Sequence, residues 1–383
     1  MVTSQKMIEN EMAYRGSKSK LINFVKEQRV DGSWQFLYLI NCLRCTLTGL
    51  ERDYQVKIPS KPTILSRLYT TSHRPLIVNK PSLNSWFVTG FCDAESSFSV
   101  LIQRNNRYKS GWRVKTVFAI ALHNKDRKLL EDIRSYFSVG GLHVHSEKSI
   151  QYRVESIKDL EVIIEFFNKY PLISTKVVNY TLFKKAFYIV KNNEHLNKTG
   201  LLQLVAIKYH LNLGISEELK QNFSDWNRYA ITSPSYTLTH IPDPHWVAGF
   251  TSGDGSFNLK VSNLSKDSIK KRVQLRFEIG LSIVDEKLVN SIAQYLVNNK
   301  LSKQDNKIRY VYYKENSVSF ETTNFSDINN NIIPFFDKYP IQGRKRLDLD
   351  LFKSAAIMIK NKEHLTEQGF NKILEIKNSI NKK

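Results

Sequence analysis

Two carboxylates, Glu95 and Asp254, each end a short apolar stretch that occurs twice in this chain of 383 residues. The stretches are residues 86–95 (WFVTGFCDAE) and residues 246–254 (WVAGFTSGD), and an alternating apolar and polar pattern follows each of them. Both stretches are predicted to be short helices. Each helix has small residues four positions apart, namely Gly90 and Ala94 in the first and Gly249 and Gly253 in the second.

Small residues at this spacing allow two helix backbones to approach closely. If the two helices pack together, they place Glu95 and Asp254 near each other at their ends. Carboxylates are natural ligands of divalent metals, and such metals assist the hydrolysis of phosphodiesters. The repeated carboxylates in a basic protein therefore predict a metal site that hydrolyses nucleic acid.

The charge of the chain favours a polyanionic partner. There are 57 Lys and Arg residues against 36 Asp and Glu residues, which gives a formal net charge of +21. A basic surface without a binding role is the plain alternative. Hydrophobic residues make up 41% of the chain, so a packed core is expected rather than a disordered basic tail. The apolar run at residues 36–40 is too short to span a bilayer, and no membrane association is predicted.

The repetition extends far beyond the two apolar stretches. The copies align without gaps at an offset of 159 residues as far as Tyr136 and Tyr295. Further on, the FFNKYP run at residues 166–171 matches FFDKYP at residues 335–340, an offset of 169 residues. The change in offset predicts an insertion of ten residues in the second copy. The chain is therefore expected to contain a duplicated domain of ordinary size and to form a pseudo-two-fold monomer.

Four regions follow from this repeat. They are a leader at residues 1–80, a first repeat at 84–212, a linker at 213–242 and a second repeat at 243–383. The leader has no strong hydrophobic periodicity and contains several prolines, so it is expected to be poorly ordered and to lie outside the repeated fold. Whether it is trimmed, disordered or loosely attached is left open by the sequence.

Each repeat is predicted to be α+β, in the order helix, two strands, helix, two strands, helices. In the first repeat the expected elements are strands at 97–103 and 113–122, a hairpin at 142–155, and helices at 124–137, 157–168, 177–192 and 196–211. Apolar residues alternate with polar ones along the first two strands of each copy. The polar positions, predicted to bind DNA, are Ser97, Ser99, Gln103, Arg113, Lys115, Ser256, Asn258, Lys260, Arg272, Gln274 and Arg276. A solvated sheet face is the alternative, but these hydrogen-bond donors suit base edges and phosphates.

At residues 88–96 and 247–255 the chain resembles the LAGLIDADG homing endonucleases, specifically the single-chain, two-motif group of fungal mitochondrial introns. The resemblance covers residues 84–383. It implies two pseudo-symmetric αββαββα repeats whose antiparallel sheets form a DNA-binding saddle, with the helices on the outer faces. It also implies a mitochondrial protein. The abundance of Lys, Asn, Ile, Phe and Tyr fits an organelle-encoded protein, which needs no import signal.

The resemblance also implies roles for individual residues. Glu95 and Asp254 occupy the motif position of the metal-binding acid, and the backbone carbonyls of Ala94 and Gly253 would complete the metal shell. The metal expected is Mg²⁺, and Mn²⁺ or Ca²⁺ is able to occupy the same sites. Lys176 and Lys345, which match each other in the repeat, would be catalytic residues near the scissile phosphate. Their plain alternative is a surface charge at the start of a helix.

The expected function is site-specific cleavage of double-stranded DNA that promotes intron mobility. One alternative is an RNA maturase that binds its own intron on the same scaffold, and another is a DNA-binding protein that has lost catalysis. Three departures from the family pattern bear on activity. They are Ser96 in place of Gly after the first acid, the shorter acid Asp254, and Leu281 where relatives often carry Gln.

Overall fold

The computed structural model describes residues 83–211, 214–229, 231–232, 234–238, 240–263, 271–297 and 310–380. The predicted leader, residues 1–80, lies outside the described residues. Across the ranges that are described, no helix is long and apolar enough to cross a membrane.

The first half begins with helix α1, and its strands are each close to their predicted bounds. Its elements are α1 (Ser85–Glu95), β1 (Ser96–Arg104), β2 (Trp112–His123), α2 (Arg127–Phe137), β3 (Gly141–Ser146), β4 (Ser149–Val154), α3 (Ile157–Lys169), α4 (Lys176–Lys191) and α5 (Lys198–His210). The helix predicted to begin at Asn124 instead starts with a 3-10 turn over Asn124–Asp126. The connection to the second half contains an unpredicted short helix, α6 (Glu217–Asn222).

The second half repeats this order. Its elements are α7 (Pro244–Asp254), β5 (Gly255–Asn263), β6 (Lys271–Ser282), α8 (Glu286–Val297), β7 (Val311–Lys314), β8 (Ser317–Thr322), α9 (Phe325–Asp327), α10 (Ile333–Lys338), α11 (Lys345–Lys360) and α12 (Glu367–Ser379). A 3-10 turn over Ile283–Asp285 precedes α8, as its counterpart precedes α2.

Each half contains one four-stranded sheet in which every neighbouring pair is antiparallel. The strand orders are β1-β2-β4-β3 and β5-β6-β8-β7. The registers are equivalent, since Phe98 lies opposite Phe118 in the first sheet and Phe257 opposite Phe277 in the second. The predicted α+β class and the duplicated order of elements are therefore confirmed.

A core of aromatic side chains fills the space between each sheet and its helices. In the first half the fully buried members include Phe98, Phe118, Phe167 and Phe183, and their equivalents in the second half are Phe257, Phe277, Phe336 and Phe352. Each of these rings removes a large apolar area from water, and the edge-to-face contacts among them add to that stabilisation. Equivalent faces of the two sheets therefore pack against equivalent helices.

One of the inserted residues lies in the helical segment that follows β8. Thr322 occupies the register position of Val154, because they pair with the equivalent residues Phe277 and Phe118, so the offset there is 168. Beyond β8 the offset is 169, which leaves one extra residue in the helical segment that follows this strand. A π-helical turn over Ile328–Ile332 joins α9 to α10 at this point. A π-turn closes its hydrogen bonds over one more residue than an α-turn does, so it accommodates one extra residue.

Candidate active site

Helices α1 and α7 pack against each other with their backbones in contact. A Cβ atom built on Gly90 would lie 2.0 Å from the carbonyl oxygen of Trp246, and one built on Gly249 would lie 2.0 Å from that of Phe87. No side chain fits at such distances, so only glycine permits this approach. The predicted close packing of the two small-residue helices is confirmed.

Both helices begin with a side-chain cap and end directly on a strand. Asn84 Oδ1 accepts from the amide of Trp86 at 2.8 Å, and Asp243 Oδ1 accepts from the amide of His245 at 2.8 Å. Glu95 and Asp254 are the last helical residues of α1 and α7. The two carboxylates therefore lie at the C-terminal ends of two helices that are in contact.

Ser96 is accommodated at the end of α1 by its own hydroxyl. Its Oγ donates to the carbonyl oxygen of Cys92 at 2.6 Å, which satisfies one of the free carbonyls of the last turn. The equivalent residue of the second half is Gly255, where a Cβ atom would lie 2.4 Å from Thr251 Cγ2. The departure at Ser96 therefore fits the local structure of the first half.

Lys176 and Lys345 are the first residues of α4 and α11. Lys176 Nζ donates to the carbonyl oxygens of Ala94 at 2.9 Å and Cys92 at 3.3 Å. Lys345 Nζ donates to the carbonyl oxygen of Gly253. Burial lowers the pKa of both ammonium groups, and the nearby carboxylates oppose that shift. Neither lysine is therefore a solvated surface charge, which was the plain alternative for both.

Burial makes both carboxylates weaker acids than they are in water. Burial, assisted by the charge of Glu95, raises the pKa of Asp254 to about 6. Burial also raises the pKa of Glu95. Lys345 is the strongest charge that opposes the shift of Glu95, whereas Lys176 is the strongest that opposes the shift of Asp254. Each acid is thus coupled more strongly to the lysine of the other half.

Two cavities show the same crosswise arrangement. The larger has a volume of about 600 Å³, and its lining includes Glu95, Leu122 and Asp126 from the first half with Gly253 and Lys345 from the second. The smaller has a volume of about 210 Å³, and its lining includes Asp254, Leu281 and Asp285 from the second half with Ala94 and Lys176 from the first. We call these the Glu95 site and the Asp254 site. Each combines an acid from one half with a lysine and a backbone carbonyl from the other.

The family model for LAGLIDADG endonucleases matches residues 88–187 and 247–356, which together exceed half of the chain and include both apolar helices. The chain belongs to the LAGLIDADG endonuclease family. Its sequence is 38% identical to that of a probable intron-encoded endonuclease 3 of Neurospora crassa, over 97% of this chain and 70% of the relative. It is also 38% identical to a probable intron-encoded endonuclease 2 of the same fungus, over 78% of this chain and 65% of that relative.

Solved structures of the family agree with this fold. The LAGLIDADG meganuclease I-CpaMI bound to uncleaved DNA is 52% identical, with a TM-score of 0.74, and the match covers 79% of this chain and all of that one. I-SmaMI bound to an uncleaved DNA target in the presence of calcium is 37% identical, with a TM-score of 0.72 and the same coverage of this chain. The two-sheet architecture is therefore that of known LAGLIDADG meganucleases.

The oxygen atoms of each LAGLIDADG site fit a divalent cation. No group of three or more His, Cys, Asp or Glu residues able to hold a metal occurs in the part of the chain that the structure describes. Each site instead offers one carboxylate and one backbone carbonyl, and hard cations prefer such oxygen ligands. The carbonyls of Ala94 and Gly253 already accept from an ammonium group. The raised pKa of Asp254 and the negative ends of two helices also favour an added positive charge.

Asp93 connects the two LAGLIDADG helices to the start of α4. Its carboxylate accepts from the amide of Ile173 at 3.0 Å, from the hydroxyl of Ser174 at 2.6 Å and from Trp246 Nε1 at 2.8 Å. Because Trp246 belongs to the second half, Asp93 is an interface residue between the two halves. The second half uses a hydroxyl in the equivalent place, where Ser252 Oγ accepts from the amide of Gln342 at 3.1 Å.

The residues predicted to bind DNA lie on the sheet faces that point away from the core. Along β1, Phe98, Val100 and Ile102 are buried while Ser97 and Gln103 are exposed, and β5 and β6 alternate in the same way. The polar set comprises Ser97, Ser99, Gln103, Arg113, Lys115, Ser256, Asn258, Lys260, Arg272, Gln274 and Arg276, and none of these residues is buried.

Two of these cations are already in ion pairs. Lys115 contacts Glu155, which also contacts Arg153. Arg276 lies 3.0 Å from Glu278 and 2.8 Å from Glu321. Glu278 and Glu321 are directly opposite each other in the pairing of β6 with β8, so Arg276 compensates a pair of like charges. These contacts on the polar face were not predicted from the sequence.

Proposed function

We propose that this chain is a site-specific, double-stranded DNA endonuclease that hydrolyses one phosphodiester bond in each strand with the help of a divalent metal. The observation that carries the proposal is the Glu95 site together with the Asp254 site. We call them composite sites, because each combines an acid from one half with a lysine and a backbone carbonyl from the other. Two equivalent sites related by a pseudo-two-fold axis match the two antiparallel strands of a duplex, which are also related by a two-fold axis.

The catalytic roles follow from the chemistry of the groups at each site. Glu95 and Asp254, with the carbonyls of Gly253 and Ala94, would hold the metal, for which Mg²⁺ is proposed and for which Mn²⁺ or Ca²⁺ is able to substitute. The bound metal supplies Lewis-acid stabilisation of the phosphate and of the leaving oxygen. Lys176 and Lys345 place a positive charge beside the scissile phosphate in a partly buried setting, where such a charge is most effective.

The polar sheet faces would bind the duplex. Their Arg, Lys, Asn, Gln and Ser side chains supply donors for phosphates and for base edges. Solved relatives bind DNA, as the names of I-CpaMI bound to uncleaved DNA and I-SmaMI bound to a DNA target state. The chain would act as a monomer, because both composite sites are present within one chain.

The biological role proposed is intron mobility in a fungal mitochondrion. Relatives are named as probable intron-encoded endonucleases of Neurospora crassa, and another as a protein in an intron of ND4 of Podospora anserina. A maturase that binds its own intron RNA needs a basic surface but not two acids. The presence of both complete sites therefore favours cleavage of DNA as the main activity.

The test uses the full chain and a plasmid library that carries the intron-less exon junctions of fungal mitochondrial genes. The wild-type protein with Mg²⁺ should convert a specific plasmid to a linear product. The double variant Glu95→Gln/Asp254→Asn should bind the same plasmid within about tenfold of the wild-type affinity, because the polar sheet faces are unchanged, but should leave it uncut. Linear product from the double variant, or specific cutting without added divalent metal, would contradict the proposal.

A further inference from the structure

The residues that directly precede the two lysine helices do not cap them. Neither Thr175, which precedes α4, nor Arg344, which precedes α11, caps its helix with its side chain. The free amides at a helix start need an acceptor, and a carboxylate is a strong one. In this protein that carboxylate comes from the other half of the chain.

The contacts are reciprocal. Asp285 of the second half accepts from the amide of Thr175 at 2.9 Å and from its hydroxyl at 2.9 Å. Asp126 of the first half accepts from the amide of Arg344 at 2.6 Å. Asp126 and Asp285 are equivalent in the repeat, and each ends the 3-10 turn before the next helix. Asp126 makes no side-chain cap bond to its own helix α2, so its carboxylate serves the other half.

Each of these contacts belongs to one of the two composite sites. Asp126 belongs to the same half as Glu95, and the helix that it holds begins with Lys345, the lysine of the Glu95 site. Asp285 belongs to the same half as Asp254, and the helix that it holds begins with Lys176. In each case the contacted amide immediately precedes the lysine, so movement of the helix start moves the ammonium group relative to the acid.

We propose that Asp126 and Asp285 are positioning residues that assemble each site across the boundary between the halves. Through its aspartate, each half holds the start of a helix of the other half. That helix supplies the lysine for the site whose acid belongs to the first of these halves. The inference rests on the proposed function, because it assigns a role to these residues in strand cleavage. Small displacements of a catalytic group are costly, and a shift of about 1 Å reduces a rate by roughly a hundredfold.

The two helix starts differ in what else holds them besides the aspartate. The amide of Lys176 also donates to Ser174 Oγ at 3.2 Å, and Ser174 is itself held by Asp93. Gly343 replaces this serine in the second half, and it has a φ of +72° with a built Cβ atom 2.7 Å from Asp126 Oδ1. Glycine therefore leaves room for the aspartate but supplies no hydroxyl. Loss of Asp126 should affect its site more than loss of Asp285 affects the other.

The test measures cleavage of each strand separately under single-turnover conditions with Mg²⁺, with the target duplex labelled on one strand at a time. Asp285→Ala should slow by at least tenfold the strand whose cleavage is lost in Asp254→Asn, and should leave the other strand within about threefold. Asp126→Ala should slow the strand lost in Glu95→Gln, and by a larger factor. Asp285→Asn should retain most of the rate, since its amide oxygen still accepts from Thr175. Asp132→Ala, which removes only a surface aspartate paired with Lys128, is the matched control and should cut both strands normally.

Equal slowing of both strands, or slowing of the opposite strand, would overturn the proposal in favour of a general structural role. A second measurement does not need cleavage. Acylation by an N-hydroxysuccinimide ester, read by mass spectrometry, should increase at least threefold at Lys176 in Asp285→Ala and at Lys345 in Asp126→Ala, with the other lysine unchanged. If the wild-type protein cuts neither strand, the proposed function fails, and unselective acylation would then overturn this inference separately.

Discussion

At the scale of single residues, the site is built from charges that the protein itself only partly compensates. Burial raises the pKa of both Asp254 and Glu95, and the charge of Glu95 raises the pKa of Asp254 further. The two lysines oppose this effect but are themselves made less basic by burial. Such a site gains most from a ligand that brings positive charge, which is the role proposed for the metal.

A stability measurement tests this charge imbalance in the metal-free protein. The folded pKa of Asp254, about 6, lies above its ordinary value of 3.8, so the folded state holds a proton that the unfolded state has lost between these values. The free energy of unfolding should therefore fall as the pH rises from about 4 to about 6, and should then level off. A shift of roughly two pKa units corresponds to about 3 kcal/mol.

Urea unfolding in EDTA checks this, with Asp254→Asn as the reference. The difference in unfolding free energy between the variant and the wild type should grow across that pH window in favour of the variant. Mg²⁺ should stabilise the wild type more at pH 7 than at pH 5, because binding requires the ionised acid. A variant with the same pH dependence as the wild type would show that Asp254 is not the group concerned.

At the scale of elements, the contact between α1 and α7 positions everything else. Helix propensity favours Ala over Gly by about 1 kcal/mol, so Gly90→Ala would be stabilising if the helix were isolated. In the protein the added Cβ atom meets the backbone of Trp246, which no side-chain rotation relieves. Gly90→Ala should therefore destabilise the protein by about 3 kcal/mol or prevent folding.

Gly280→Ala is the matched control for this substitution. A Cβ atom at Gly280 would lie 3.7 Å from that of Ser319, which is an ordinary contact. Thermal unfolding of the control should match the wild type, whereas Gly90→Ala should unfold at a markedly lower temperature. Equal stability of the two variants would contradict the close packing of α1 and α7.

The sequence predicts these elements well because their signals are local or repeated. The alternation along β1, β5 and β6 and the paired apolar stretches need only the period of a strand or a helix. The π-turn at Ile328–Ile332 was not predictable in the same way. The change in offset reveals the inserted residues, but where one of them enters a helix depends on how β8 pairs with β6.

Contacts between the halves are the part of the site that the sequence predicts least. The repeat identifies Asp126 and Asp285 as equivalent residues at the start of a helix, and that position suggests a cap for the same helix. The structure shows that Asp126 contacts Arg344 instead, which is 218 residues away. Likewise, the pairing of Arg276 with Glu278 follows from their spacing along one strand, whereas Glu321 joins them only through strand pairing.

At the scale of the whole molecule, the duplication has the consequence that neither half contains a complete site. Each acid lies with a lysine and a carbonyl of the other half, so each site exists only when both halves are assembled. The net charge of the chain, +21, and the polar faces of the two sheets both suit a polyanionic partner. On the proposed function, one chain would therefore provide both cuts of a duplex.

The most direct test of this account compares four single variants on a target duplex with each strand labelled in turn. They are Glu95→Gln, Asp254→Asn, Lys176→Ala and Lys345→Ala. If the sites are composite, Glu95→Gln and Lys345→Ala should lose cleavage of the same strand, and Asp254→Asn and Lys176→Ala should lose cleavage of the other, each giving a nick in place of a double-strand break. Loss of the same strand by Glu95→Gln and Lys176→Ala would contradict the crosswise assembly.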